Sequence, residues 1–178
     1  MFLAICISPT ILGQNAFAGS YSGTIVRNSQ GLFLLSQSIG ASIVPIDQQS
    51  THAAQDLARL QSGDWCAGSG AFDGKSLTID SIDVVGLQSL LGKWESSLGG
   101  IFEFSDFSNL RFFSSRQEPS TAVVKSFKYT LSPNPNGEWS IFFGNTTVIQ
   151  IGILQNTASG WTMSLLNSAN GSVSQIIE

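Results

Sequence analysis

The sequence predicts a mainly β chain in two parts. Residues 19–90 read as a five-stranded barrel with one helix, and 91–178 as an antiparallel up-and-down β-meander or barrel. Three observations predict this. Only 11% of the 178 residues are charged against 42% hydrophobic, which excludes coiled coils and charged disordered tails. A single segment keeps a helical period. Beyond Leu91, apolar residues recur at every second position, the period of a half-buried strand.

The first twenty residues stand apart because they carry no charge. Phe2 to Gly13 form a mostly apolar run, and Ala16-Phe17-Ala18 puts small residues where a signal peptidase reads them. Residues 1–18 are therefore expected to be a secretory signal peptide, leaving Gly19 first in the mature chain. No Lys or Arg stands near Met1, a departure from the usual signal. Leu3-Ala4-Ile5-Cys6 does not suit a lipoprotein, since Ile5 is too large to precede an acylated Cys. No later apolar run approaches the ~18–20 residues of a membrane helix. With the signal removed, Cys66 is the only cysteine, so no intrachain disulfide is available. A periplasmic or secreted bacterial protein is the expected setting.

The mature chain opens on a hairpin: Thr24-Ile25-Val26-Arg27, a turn at Asn28-Ser29-Gln30-Gly31, then Leu32-Phe33-Leu34-Leu35. A short strand follows at Ser42-Ile43-Val44-Pro45-Ile46. Ser50 to Leu60 is the helix, with Ser50 or Thr51 as cap and Ala53, Leu57 and Leu60 on one face. Asp64-Trp65-Cys66-Ala67-Gly68 and Leu77-Thr78-Ile79 read as strands joined across Asp73-Gly74. The apolar phase slips between Ile79 and Ile82, which predicts a bulge at Asp80-Ser81 before Val84. Three strands, a helix and two strands, with these turns, resemble an OB-fold barrel, a fold whose face binds oligosaccharides.

The second part begins with Gly92-Lys93-Trp94 and Ile101-Phe102-Glu103-Phe104. Val123, Phe127, Tyr129 and Leu131 alternate next, with Lys125 breaking the pattern. Pro133-Asn134-Pro135-Asn136-Gly137 is a turn. Trp139, Ile141 and Phe143 alternate, as do Ile149, Ile151 and Ile153, and Trp161, Met163 and Leu165; Asn170-Gly171 closes a last hairpin before Val173 and Ile177. Gly-x-Trp at the head of a meander, followed by a Phe-rich strand, resembles the lipocalin-like (calycin) small barrels. That resemblance implies that Trp94 plugs the closed end of a barrel, with Gly92 allowing a tight bend beside it. No Arg late in the chain is available to stack on this Trp, and the span is short for eight long strands. A flattened or shallow barrel is expected.

Charge and motifs exclude several functions. A net charge of −4 and a pI near 4.8 oppose nucleic-acid binding. Over residues 19–95, four basic residues (Arg27, Arg59, Lys75 and Lys93) stand against seven acidic ones (Asp47, Asp56, Asp64, Asp73, Asp80, Asp83 and Glu95). A reactive thiolate needs an imidazolium beside it, and Cys66 and His52 are the residues available. Cys66 reads as a small buried hydrophobe beside Trp65, and His52 as a solvated residue at the wrong helix end for a stabilised imidazolium. One His and one Cys make no His/Cys zinc site. Asp73, Asp80 and Asp83 lie near one another without a calcium-loop pattern. Glu103 and Asp106 lack any support as a glycosidase pair. No Gly-x-Ser-x-Gly elbow exists, and Gly68-Ser69-Gly70 lacks the rest of a phosphate loop.

No catalytic or metal residue and no cofactor is therefore assigned, and the ligand-binding residues are left open. Trp65, Trp94, Trp139 and Trp161 read as barrel filling, with sugar or peptide stacking as the alternative. The leading expectation is a non-enzymatic binding or interaction protein of the bacterial envelope. Its partner is a small apolar ligand, a glycan or an envelope protein. The competing classes are a hydrolase with a site assembled from scattered residues, and a structural module using its sheet edges. An apolar cavity of a few hundred Å³ favours binding. A cleft with strongly shifted carboxylates favours an enzyme, and neither feature favours the structural module.

Overall fold

A computed structural model describes residues 17–36, 39, 43–49, 53–97, 99–114, 124–147, 149–158, 160–166 and 173–177. The chain is mainly β, as the alternation predicts: among the described residues two antiparallel sheets stand beside one short α-helix. The signal-peptide run up to Ala16, the Ser50 and Thr51 caps, Val123 and the Asn170-Gly171 turn fall outside the described residues.

The first sheet holds β1 (Phe17–Asn28), β2 (Gly31–Leu35), β3 (Val44–Pro45), β4 (Trp65–Phe72) and β5 (Leu77–Gly86), in the order β3-β2-β1-β4-β5. Ile46, just past β3, bridges in parallel to Leu77 at the start of β5, so the two edges meet and the sheet curls on itself. The Asp47 N–H donates to the Leu77 carbonyl at 2.9 Å across this seam. Asn28 and Gly31 face each other across the expected turn, where the Asn28 side chain accepts from the Gln30 N–H at 2.8 Å.

Two boundaries differ from expectation. β1 starts at Phe17 rather than Thr24, and its first half pairs with β4 from Phe17↔Phe72 to Thr24↔Trp65. Gly19, Ser20, Ser22 and Gly23 hide that strand, because small polar residues carry no hydrophobic period. The helix, α1, covers only Ala54–Arg59, with Ala53 at the cap position and no side-chain cap bond. Its expected face is nonetheless the buried one: Ala53, Leu57 and Leu60 all lie in the core.

The expected bulge at Asp80-Ser81 is present, and a second one accompanies it. β4 and β5 slip register twice, skipping Asp80 and then Asp83. The two extra residues allow Ile79, Ile82 and Val85, three apart, all to reach the core. Gly68 sits where the strands come closest: a Cβ there would stand 2.0 Å from the Ser81 carbonyl oxygen.

The second sheet is an eight-stranded meander in which each strand pairs with the next. It comprises β6 (Gly92–Glu95), β7 (Ile101–Phe104), β8 (Asn109–Phe113), β9 (Val124–Pro133), β10 (Trp139–Gly144), β11 (Ile149–Thr157), β12 (Gly160–Leu166) and β13 (Val173–Ile177). Cα atoms of its first and last strands come within 8 Å without a ladder between them, so the sheet is a curled half-barrel. Sequence patterning misses β8 because only Leu110 is buried and the Phe112-Phe113 pair breaks the alternation.

The sheets meet across a 3-10 turn at Gln88–Leu90, and buried residues of both belong to one hydrophobic cluster. β9 is bound to β5 by the Ser132 hydroxyl, which donates to the Asp83 carbonyl at 2.8 Å. No described helix is long and apolar enough to cross a membrane.

Candidate functional site

Period-two geometry turns alternate residues of each strand into the half-barrel. On β9 the inward row is Lys125, Phe127, Tyr129 and Leu131; its far end is buried, Phe127 is half-buried and Lys125 is exposed. On β10, Trp139, Ile141 and Phe143 are buried and Asn145 follows in phase. On β11, Leu154 and Gly152 are buried and Gln150 is half-buried. Side chains therefore fill one end of the half-barrel, while at the other end the rows run out into polar residues.

Between the filled end and this polar edge lies a cavity of about 450 Å³. Its walls are Phe102, Phe112, Phe127, Phe143 and Leu165, and its polar members are Lys125, Asn145 and Gln150. The four rings form a continuous wall. Phe112 lies 4.7 Å from Phe102, Phe102 lies 6.2 Å from Phe143, and Phe143 lies 5.7 Å from Phe127, centroid to centroid. The volume and lining suit a small apolar ligand.

A second concavity, of about 240 Å³, lies between the sheets and is lined by Arg59, Asp64, Ser89, Trp139, Asn156 and Trp161 among others. Its strongest polar groups are already committed. The Arg59 guanidinium donates to Asp56 at 3.1 Å and to the Glu138 carbonyl at 2.8 Å, and it stacks on Trp139. The Trp161 indole N–H donates to the Ser89 hydroxyl at 3.1 Å. Asp64 accepts 2.7 Å bonds from the Gln61 and Gln88 backbone N–H groups, one on each oxygen. Burial pushes its carboxyl above the ordinary range, against the pull of those two bonds. Among the described residues no other carboxylate lines this cleft.

Cys66 is fully buried in β4 and burial pushes its thiol up to about 12, so it is not a thiolate at neutral pH. His52 lies outside the described residues. Asp73 turns back on its own hairpin, accepting from the Lys75 and Ser76 N–H groups at 2.8 and 2.7 Å; these bonds hold its carboxyl below the usual range. Asp83 accepts from the Ser81 hydroxyl at 2.9 Å. No three His, Cys, Asp or Glu side chains among the described residues gather as a metal site. Glu103 pairs with Arg111 at 2.8 Å, whereas Asp106 organises the Ser108-Asn109 turn. Gly68-Ser69-Gly70 is ladder, not loop. Trp94 and Trp139 are buried, and Trp65 and Trp161 are half-buried.

Sequence reading missed the cavity itself. Its one advance signal was Lys125, the residue that broke the alternation of β9. No protein-family model, no curated protein and no solved structure matches the chain.

Proposed function

We propose that the protein is an exported, non-enzymatic binding protein of the bacterial envelope, which holds a small apolar ligand inside its second sheet. The observation that carries this reading is the 450 Å³ cavity with its wall of four phenylalanines. The first sheet is read as OB-like, on its three strands, helix and two strands and on the parallel Ile46–Leu77 bridge. The second is read as lipocalin-like. In support, Trp94 is buried at the head of the meander and donates its indole N–H to the Leu90 carbonyl at 2.8 Å. Gly92 beside it has φ +138°, a conformation that favours glycine. In place of a stacking Arg, Trp94 meets Phe104 edge-on at 6.3 Å.

Titration with a neutral naphthylamine dye tests the cavity. Saturable binding near one dye per chain is expected, and Gln150→Trp, which places a bulky ring at the cavity edge, should abolish it. Absence of saturable binding overturns the reading. Export is tested separately by N-terminal sequencing of extracytoplasmic material. Gly19 is the expected first residue, and an intact Met1 removes the signal-peptide assignment. A chain cut there keeps the β1–β4 ladder from Gly19↔Gly70 onward.

A second reading, contact with an envelope protein, draws on the outer face of the half-barrel. Ile151 on β11 is the cross-strand neighbour of both Phe142 on β10 and Leu166 on β12, and the three are 39–44% exposed. Replacing Phe142 and Ile151 by Thr separates the readings: it should weaken such a contact while leaving dye uptake unchanged.

A further inference from the structure

We infer that the ligand of the phenylalanine-lined cavity is an amphipathic carboxylate, bound tail inward with its anionic head on Lys125. The inference rests on the cavity reading above and adds to it the chemical class of the ligand.

Opposite Phe112 in the β8–β9 ladder, Lys125 occupies the inward row that continues through Phe127, Tyr129 and Leu131. An ammonium is costly to place inside an apolar row. The row tolerates it because the position falls at the cavity edge, where the four-carbon stem can lie along apolar surface while the charge stays in water. Lys125 both lines the cavity and is exposed, which is that arrangement.

Lys125 makes no ion pair or hydrogen bond among the described residues, whereas Arg111 is paired with Glu103 and Lys128 donates to Asn109 at 2.6 Å. Among the described residues it is also the only charged one lining the cavity; Asn145 and Gln150 supply neutral amides beside it. A chain with net charge −4 thus presents, among the described residues, one unopposed cation at the edge of this apolar cavity. A neutral ligand would gain nothing from that cation, and an alkylammonium would be repelled by it. A carboxylate would gain a charge-assisted contact while its tail is buried against the rings.

The test displaces the neutral dye from the full chain with decanoate, decanol and decylammonium. Wild-type protein should prefer decanoate to decanol by roughly 1.5- to fivefold, the range of a partly exposed ion pair, and less at high salt. Lys125→Met, which keeps the apolar stem, should bring decanoate and decanol to equal affinity. Lys125→Glu should make decylammonium the strongest of the three. Lys128→Met removes one positive charge outside the cavity and should leave the preference intact. Equal binding of decanoate and decanol by wild type, or an undiminished preference in Lys125→Met, overturns the carboxylate inference and leaves the cavity reading standing. Failure of the dye and all three compounds to bind overturns both.

Discussion

The guanidinium carbon of Arg59 lies 3.8 Å from the ring centre of Trp139, and the same group donates to the Glu138 carbonyl at 2.8 Å. One side chain from the helix of the first sheet thereby covers an indole of the second and binds the turn that leads into it. The planar guanidinium does both at once; an ammonium has no flat face to lay on the indole while its N–H groups reach the carbonyl. Arg59→Lys should cost about 1–2 kcal/mol. Urea unfolding followed by tryptophan fluorescence and by far-ultraviolet circular dichroism checks this. The two curves should coincide in wild type and separate in the variant as the sheets uncouple. An unchanged midpoint would show that the bridge carries no stability.

Trp94 makes two separable contributions. Its rings are buried against Phe104, and its N–H satisfies the Leu90 carbonyl. Trp94→Ala should cost about 3–5 kcal/mol, the range for deleting a core aromatic. Trp94→Phe keeps part of the volume and loses the hydrogen bond, so its loss should be smaller by at least about 1 kcal/mol. Denaturation midpoints at matched slopes give both values. A near-neutral Trp94→Ala would remove the residue-level support for a Trp-plugged barrel.

Cys66 should stay silent toward thiol reagents in the native protein at about pH 8, because both burial and its raised pKa oppose a reactive thiolate. A Cys6→Ser chain isolates its signal. Full reaction is expected only in denaturant, and rapid native labelling would show that β4 opens locally.

These contacts divide cleanly into what the sequence revealed and what it concealed. The α1 face and the bulge at Asp80 were legible because a helical period, or a slip in a two-residue period, is visible over six to ten residues. The first half of β1 was not, since Gly19 to Thr24 pair through backbone and bury Tyr21 with little side-chain pattern to show for it. Lys125 was visible as an interruption, but its meaning depends on Phe102, Phe112 and Phe143 reaching the same space. Those residues come from three different strands, and only the curl of the sheet brings them together. Asp64 shows the same limit: its partner Gln88 lies 24 residues away, across the whole β4–β5 hairpin.

Gly68 supplies a test of the double bulge. A methyl group there meets the Ser81 carbonyl oxygen at 2.0 Å, and backbone rather than a flexible side chain must yield. Gly68→Ala should therefore destabilise by about 1–3 kcal/mol, as overpacked positions do. Hydrogen exchange should rise along β4 and β5 more than elsewhere. A neutral substitution would show that the strands can separate at the bulge without loss.

Asp64 provides a pH-dependent test whose sign follows from its surroundings. Its carboxylate joins the loop after α1 to the 3-10 turn between the sheets, through Gln61 and Gln88. Burial raises its pKa from the ordinary 3.8 more than the two N–H donors lower it. A carboxyl with a raised folded value keeps its proton in the native state after the unfolded chain has lost it. The native state then binds more protons over that window, so stability falls as pH rises from about 3.8 through the folded value. Asp73 and Asp106 carry lowered values and act in the opposite direction, which masks the effect in the wild-type profile alone. Subtracting the profile of Asp64→Asn isolates it. The amide keeps one acceptor and turns a donor toward the other backbone N–H, at a cost of about 1–3 kcal/mol. The wild-type advantage should be largest at the acid end and shrink as pH rises through the window. Urea unfolding of both proteins between about pH 3 and pH 7 measures it, and an advantage that grows with pH would mean that the two N–H bonds, not burial, dominate this carboxylate.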